Sequence, residues 1–551
     1  MPSPTLSKKT DQKNTVLENA KKLFRVIYFE ENKEEKDDND APKIKVSDLV
    51  SKMAFYYEKI RNTVDYKEEH LLRKNAIERI LRRQIVIEGV ISLKGLNSRD
   101  IAGELLTELI RAAYLKNNTV EEAKIDEIGA VVDKYLRLKR YRLEHSKDFA
   151  HEKNHTAAWI ISLLACDIEE RLGRSETDMA VVDYMYNILS RNIELPVNSP
   201  YADDREIQIY ISINRCYLKF DRDMLSFILF KHYNPGWKNP DEETIERIAK
   251  NIGDLKDRIE KNLEHPLSGQ LNRIINKYNV FFSILTDVIR DDPRGVYDSF
   301  TKDPKAFARN IKKMCSKRYL AARKKLWRAA VRSIMYIFIT KSVFAVLLEV
   351  PATKWFGEEI NPVSLLINIS FPALLLFIIV LFTRLPSEAN SNRIVEGIEG
   401  VVFEKKKEDV HKLRPPVRRS RFMHTTFGFI YSVTFFLSFG TIIWALDKIG
   451  FNWVSITIFL FFLAFVSFFS IRIRKGAKDL LIVEREDNIL SLLADFFYVP
   501  IVEAGKWLSE KFSRINVFVF ILDFIIEAPF KIFVTIAEEW TKYVKERKDE
   551  I

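Results

Sequence analysis

Apolar residues are concentrated in four long runs in the second half of the chain, whereas the first 320 residues mix short apolar stretches with many charges. The runs cover roughly 333–350, 363–383, 425–446 and 453–471. A helix of about 20 apolar residues crosses the hydrocarbon core of a bilayer. The pattern therefore predicts four transmembrane helices in an integral, multi-pass membrane protein.

Apolar positions before the first run recur at helical spacing. Ile125, Ile128, Val132 and Tyr135 mark one face of a helix. The stretch 207–220 alternates in part like a strand, but its length favours a helix. Glycine and proline are few, at 17 and 18 of 551 residues. The predicted fold class is all-α: one or more cytoplasmic helical bundles, a four-helix transmembrane region and amphipathic C-terminal helices.

Changes in composition divide the chain into four parts. These are an N-terminal helix and acidic linker (1–42), a cytoplasmic all-helical domain of one or two bundles with a boundary near 196–205 (43–315), a transmembrane domain with a basic cytoplasmic loop at 384–423 (316–475), and interfacial amphipathic helices (476–551). The apolar stretch at 515–535 leaves a re-entrant segment or a fifth span open.

Basic residues flank the apolar runs and predict the topology. Seven lysines and arginines between 317 and 332 precede the first span, and further clusters stand at 405–407, 414–421 and 472–478. The positive-inside rule places these segments, and both termini, in the cytoplasm. The net charge of +11 is then explained by anionic lipid headgroups at the bilayer surface, so no nucleic acid is expected. Three widely spaced cysteines, an odd number, indicate a reducing compartment rather than disulfides.

Polar residues inside the apolar runs are candidates for an ion or substrate path. Lys341 lies within the first span and Asn368 within the second. A charged side chain near the bilayer centre costs several kcal/mol unless it pairs or reaches an interface. Glu349, at the end of the first span, is expected to be solvated at the outer boundary. The alternative for Lys341 and Asn368 is a snorkelling lysine and a packing asparagine.

Residues 151–155 read His-Glu-Lys-Asn-His and match the HExxH pattern. This spacing puts two imidazoles one helical turn apart on zinc, with a glutamate placed to activate water. The resemblance to zincin-type metalloproteases implies His151 and His155 as ligands and Glu152 as the catalytic base. Candidates for a third ligand are Glu176, Asp167 and Glu170. A charged helix start with solvated histidines is the alternative, because Lys153 opposes a bound dication.

Three segments resemble parts of an uncharacterised family of multi-pass helical membrane proteins from small-genome bacteria. They are YYEKIRNTVDYKEEHLLRKNAIERILRR (56–83), RAAVRSIMYIFITKSVFAVLLEVP (328–351) and RINVFVFILDFIIEAPFK (514–531). The resemblance implies a bacterial inner membrane and implies no activity.

Three functions follow from these patterns. The first is a non-enzymatic, membrane-anchored helical platform that binds a cytoplasmic protein partner or organises the membrane. The second is a transporter or channel subunit that uses Lys341 and Asn368. Four spans enclose little space alone, which favours a homo-oligomer for this function. The third is a zinc-dependent hydrolase at 151–155. The sequence favours a non-enzymatic role without a cofactor and leaves all three open.

Overall fold

The computed structural model describes residues 9–31, 42–47, 51–52, 54–56, 58–59, 69–85, 97–145, 150–173, 175–196, 201–403, 410–415, 420–482 and 489–514, together with six isolated positions between 536 and 547. These residues are almost all helical, which confirms the all-α class. Two strands of two residues each, β1 (Ile193–Glu194) and β2 (His411–Lys412), pair in parallel.

In the described part of the chain nineteen α-helices have defined bounds, and ten of them precede residue 264. They are α1 (Lys9–Glu31), α2 (Glu69–Arg83), α3 (Ser98–Arg111), α4 (Ala123–His145), α5 (Ala150–Gly173), α6 (Glu176–Asn192), α7 (Arg205–Cys216), α8 (Arg222–Tyr233), α9 (Glu242–Lys250) and α10 (Ile252–Leu263). Helix α7 confirms the helix predicted over 207–220.

Nine further helices follow. They are α11 (Ser268–Asp291), α12 (Pro293–Lys302), α13 (Pro304–Phe344), α14 (Val350–Trp355), α15 (Pro362–Leu381), α16 (Glu388–Phe403), α17 (Arg421–Lys448), α18 (Trp453–Lys478) and α19 (Ile489–Arg514). A π-helical turn, Ala345–Glu349, joins α13 to α14.

The chain forms two compact units. The first comprises Met1–Asn279, Glu408–Pro415 and Val517–Ile551, and the second comprises Val280–Lys407 and Pro416–Asn516. The division falls within α11, so it differs from the predicted domain boundary at 315.

The first unit has one large core. Buried side chains from Leu71 to Leu263 form a single cluster that includes both sides of the bundle boundary predicted near 196–205. Helix α1 also packs into this unit, against α6, and buries Leu23, Phe24 and Ile27. The N-terminal helix is therefore part of the packed unit and is not the separate segment predicted for 1–42.

Four helical segments of the second unit are long and apolar enough to cross a membrane. They are Pro304–Trp355, Pro362–Leu381, Arg421–Lys448 and Trp453–Gly476, among the residues searched, which are the described ones. They overlap the four runs predicted from the sequence, and only the second run, 363–383, extends beyond its segment, by two residues. This agreement supports a membrane protein with several spans.

The connector between the second and third spans contains a helix that the prediction of a basic loop over 384–423 missed. Helix α16 buries Ile394, Ile398 and Val402 and packs against α13. These residues recur every four positions, which is the spacing of one helix face. The charged and proline-rich flanks of the connector obscured this short amphipathic pattern.

Helix α19 packs along α18 and α17. Gly505 lies directly against the backbone of Ala464, near the middle of α18. Tyr498 adds a hydrogen bond from its hydroxyl to the carbonyl oxygen of Ser467, at 3.2 Å. The interfacial position predicted for this segment stays a prediction. The apolar segment at 515–535 lies outside the described residues.

We expect Gly505→Ala to weaken the packing of α19 against α18. An added Cβ would collide with the carbonyl oxygen and carbon of Ala464, and a backbone cannot give way as a flexible side chain can. Overpacking of this kind costs about 1–3 kcal/mol. Hydrogen exchange of the α18 and α19 amides, measured on the purified full chain, should rise accordingly.

Gly440→Ala is the matched control, because no atom lies within 4 Å of a Cβ at this helical glycine. It should leave the exchange of α18 and α19 unchanged. Equal exchange in Gly505→Ala and the parent chain would show that α19 does not pack closely on α18.

Candidate functional site

A lysine and a glutamate meet inside the helical segment that contains the first candidate span. The Nζ atom of Lys341, near the end of α13, lies 3.6 Å from Oε2 of Glu349, at the end of the π-helical turn. In a regular α-helix, residues eight positions apart differ by about 80° around the axis. The π-helical turn is wider, which accounts for both side chains reaching one face.

Two other candidate spans add polar groups to this pair. Nδ2 of Asn368, on α15, donates to Oε1 of Glu349 at 2.5 Å and to the carbonyl oxygen of Ser455 at 3.2 Å. The hydroxyl of Ser455, on α18, donates to the same carboxylate oxygen at 3.0 Å. We call Lys341, Glu349, Asn368 and Ser455 the polar cluster. It joins three helical segments at one carboxylate.

The polar cluster is enclosed by protein. Lys341 and Asn368 are each 0% exposed and Glu349 is 1% exposed. The ammonium of Lys341 also lies 4.1 Å from the ring centroid of Phe462 and 5.5 Å from that of Phe344. Aromatic faces attract a desolvated cation. These rings and Glu349 therefore stabilise a charge that would otherwise be costly at this depth.

Three polar atoms of the cluster have no hydrogen-bond partner. They are Nζ of Lys341, Oε2 of Glu349 and Oδ1 of Asn368. Most buried polar atoms in proteins are hydrogen-bonded, so each exception calls for an explanation such as strain, a functional role or a bridging water or ion. Other buried atoms of the described residues share this property, but here three of them lie together in one cluster within the candidate spans.

The structure brings together both intramembrane residues singled out from the sequence, Lys341 and Asn368. It also corrects the expectation that Glu349 is solvated at the outer boundary. Glu349 is buried because the π-helical turn directs it toward Lys341, and hydrophobic spacing does not reveal such a turn. Ser455 was missed, since a serine within an apolar run is not unusual by itself.

A narrow cleft reaches the cluster from one end of the bundle. At this end, which we call the turn end, 356–361 and 449–452 connect the candidate spans in pairs. Nδ2 of Asn361 donates to the carbonyl oxygen of Gly450 at 3.3 Å. The cleft has a volume of about 10 Å³, close to the space that one water molecule needs. Its polar lining consists of Glu349, Thr353, Asn361, Ser364, Asn452 and Ser455.

Apolar side chains close the bundle on the other side of the cluster. Leu326, Ala330, Leu376, Val380 and Val466 form one buried group contributed by α13, α15 and α18. Beyond it stand the exposed basic residues of the opposite end, which we call the basic end: Arg323, Lys324, Lys325, Arg328, Arg332, Arg472 and Lys475. Polar groups therefore lie between the cluster and the turn end, and an apolar layer separates the cluster from the basic end.

The HExxH pattern lies on helix α5. The backbone of 151–155 is helical, as the spacing requires. The side chains of His151, Glu152 and His155 lie outside the described residues. No three His, Cys, Asp or Glu side chains in the described part of the chain form a metal-binding group. The zinc site stays a prediction.

Two of the three proposed third ligands cannot reach that site. Asp167 and Glu170 are on the same helix as His155, and a rise of 1.5 Å per residue puts Asp167 about 18 Å further along. A zinc ion lies only about 2 Å from each ligand atom, too close for both residues to share one ion. Glu176 is exposed in the first turn of α6 and stays the remaining candidate.

Asp167 instead belongs to a buried network in the first unit. Its Oδ2 atom lies 2.9 Å from Nζ of Lys134 and accepts a hydrogen bond from the Tyr135 hydroxyl at 3.2 Å. Its Oδ1 atom accepts from Nε of Arg171 at 3.0 Å. The indole of Trp237 donates to the Tyr135 hydroxyl at 2.9 Å. The network ties α4, α5 and the turn before α9 together, which is a structural role.

The comparisons with known proteins add no relative. No family model matches the chain, no curated protein matches its sequence and no solved structure matches its fold. The resemblance to a family from small-genome bacteria stays a prediction, and the function must be argued from the site alone.

Proposed function

We propose that this chain is a transporter or channel subunit whose membrane bundle moves a small ion or solute. The observation that carries the proposal is the buried Lys341–Glu349 pair, held by Asn368 inside the candidate spans. Ionisable residues within membrane segments are rare and mark substrate, ion or proton paths.

A purely structural role explains the polar cluster less well. Breaking a buried pair is costly, but replacing it with packed apolar residues is often neutral or stabilising. Stability alone therefore gives no reason to keep a lysine and a glutamate here. Some atoms of Lys341, Glu349 and Asn368 lack a hydrogen-bond partner, which also argues against a purely structural role. A cluster built only for packing would provide those hydrogen bonds.

The distribution of polar and apolar residues along the bundle suggests a path that is closed on one side of the cluster. The cleft at the turn end leads toward Glu349, and the layer of Ala330, Leu376, Val380 and Val466 blocks the continuation. Sites that alternate between two sides of a membrane need a closure of this kind. Four spans enclose little space alone, so we also propose that the active form is a homo-oligomer.

The orientation follows from the charges. The basic end carries Arg323, Lys324, Lys325 and Arg328 within two turns of α13, all exposed. By the positive-inside rule we place this end, and both termini, in the cytoplasm of a bacterial cell with the chain in its inner membrane. The same residues are suited to anionic lipid headgroups.

The size of the first unit supports a second candidate, the membrane-anchored platform. Its core runs from Leu71 to Leu263, and its charged surface is available to a cytoplasmic protein partner. A platform needs the spans only as an anchor and leaves the polar cluster without a role. We therefore rank transport first.

Ion flux into liposomes that contain the full chain tests the proposal. We expect the parent chain to raise the flux of Na⁺, K⁺, Cl⁻ or H⁺ above that of empty liposomes. The double variant Lys341→Met/Glu349→Gln should reduce this flux at least tenfold, because it removes both charges while keeping side-chain size. Removing both partners avoids leaving one charge buried alone, which protects folding.

Lys354→Met/Glu359→Gln is the matched control, since it removes one positive and one negative charge that are exposed at the turn end. It should keep the parent flux. No flux of any of the four ions, or equal flux in the cluster variant and the parent, would overturn the transport proposal. If a soluble protein is then crosslinked equally to both chains in membranes, the platform takes its place.

A further inference from the structure

We infer that Glu349 is a proton-binding carboxylate that is loaded from the turn end, so that the proton is a transported or coupling ion. This inference rests on the proposed function and names the ion. It is carried by the polar cleft that reaches Glu349, by the unpartnered oxygens beside it and by the surrounding distribution of charge.

Glu349 has a single charged neighbour inside the bundle. Helix α15 contains no charged residue, and α18 contains none before Arg472, beyond the apolar layer. On its own segment the charged groups after Arg332 are Lys341 and, five residues beyond Glu349, Lys354. The connectors at the turn end add Glu358, Glu359, Asp447 and Lys448, all outside the apolar part of the spans. On α19, Glu503 and Lys506 pair with each other at 3.9 Å. The charge of the cluster therefore depends on Lys341 and Glu349 alone.

The cleft brings polar groups, and room for about one water molecule, to the carboxylate. Asn361 and Asn452 stand at its mouth, each hydrogen-bonded across the turn end, and Ser364 and Ser455 lie deeper. One water beside Glu349 can bond to its Oε2 atom, which has no hydrogen bond and lies 3.6 Å from Nζ of Lys341, and a water needs only two to four polar partners. The apolar layer on the other side offers no such partners. Proton exchange is thus expected from the turn end only.

Protonation of Glu349 would change the net charge of the polar cluster, and it needs no reactant other than a hydronium ion. A hydronium ion gives its proton to the Glu349 carboxylate, which becomes a neutral carboxylic acid, and a water molecule remains. The Lys341 ammonium is then left without its counter-charge in a low-dielectric site, which is strongly unfavourable. The cluster must respond by releasing the lysine or its proton.

The π-helical turn supplies an element that can respond. Isolated π turns within α-helices are common at functional sites. If Ala345–Glu349 became regular α-helix, Glu349 would turn away from the Lys341 face by up to about 80°. Proton uptake at Glu349 would then be coupled to movement of α14 relative to α13. This movement would occur at the part of the segment that faces the cleft.

Infrared difference spectra of the reconstituted full chain test the proton site directly. Between a high and a low pH, we expect a carboxylic-acid carbonyl band that is absent from Glu349→Gln. Glu359→Gln, which removes an exposed carboxylate at the turn end, should keep that band. An identical spectrum in Glu349→Gln and the parent would overturn the inference.

Thiol labelling tests the side of access. The three native cysteines are buried, so the unmodified chain gives the background. Ser364→Cys, in the cleft, should react with a water-soluble thiol reagent at least tenfold faster than Val380→Cys, in the apolar layer. Faster reaction of Val380→Cys would place the water route on the wrong side and overturn loading from the turn end.

The two proposals fail in different ways. Flux that depends on Lys341 and Glu349 but lacks a titrating carboxylate would leave transport standing and remove the proton. A titrating Glu349 in a chain that moves no ion would remove transport and leave the proton site.

Discussion

Lys341→Met should lower the free energy of unfolding by about 3–5 kcal/mol, because it leaves the Glu349 carboxylate buried without its cation. The pair is fully enclosed, at 0% and 1% exposure, so solvent cannot replace the missing charge. Unfolding of the full chain in mixed micelles, followed by helix content, measures the change. It is the largest single-residue effect we expect in the membrane bundle.

The double variant Lys341→Met/Glu349→Gln provides the control for this loss. It should recover most of the stability, because neither charge is then left alone. Lys354→Met, at an exposed position on α14, should change stability by no more than about 0.5 kcal/mol. Additive losses in the two single variants and the double variant would show that the two charges do not interact.

Asp167→Asn should destabilise the first unit by about 3 kcal/mol. The substitution keeps the shape of the side chain but leaves Lys134, at 5% exposure, as a buried cation without its carboxylate. It also weakens the acceptors of Tyr135 and Arg171. Hydrogen exchange of the α4 and α5 amides in the full chain measures this local stability.

Glu170→Gln, on the same helix, is the matched control. Its ion pair with Lys231 is partly exposed, at 22% and 35%, and such pairs contribute about 0–1 kcal/mol. Glu170→Gln should leave the hydrogen-exchange rates of the α4 and α5 amides near those of the parent chain. If Glu170→Gln lost as much local stability as Asp167→Asn, the burial of an ion pair would not determine how strongly it stabilises the unit.

The loss of stability caused by Asp167→Asn should become smaller as pH rises. Burial already lowers the pKa of Lys134, although Asp167 opposes this effect, and removing Asp167 lowers that pKa further. Between the folded pKa and the unfolded value of about 10.4, the unfolded chain binds more protons, so stability increases with pH. The same hydrogen-exchange experiment, repeated toward that pH, should show the deficit shrinking. A constant deficit would show that Lys134 keeps its proton after Asp167 is removed.

Local patterns in the chain were enough to predict the all-α class and the four apolar segments. Length and hydropathy alone decide whether a helix can cross a bilayer, and the periodicity of Ile128, Val132 and Tyr135 marks a face that the structure buries. Lys341 and Asn368 could be singled out for the same reason, since each is a polar residue in an apolar run.

Other features depended on contacts between distant segments. Glu349 could not be assigned to Lys341 because an α-helical period places them on different faces, and only the π-helical turn unites them. The packing of helix α19 against α18 could not be read from the sequence either. Its position is decided by Gly505, whose lack of a side chain allows contact with Ala464.

The chain alone therefore determines which segments are helical and which can enter a membrane, because these properties depend on residues a few positions apart. The tertiary structure decides which buried charge meets which partner. It also decides which polar and apolar groups surround that pair, because both depend on how Asn368, Ser455 and the apolar layer are brought together from separate helices.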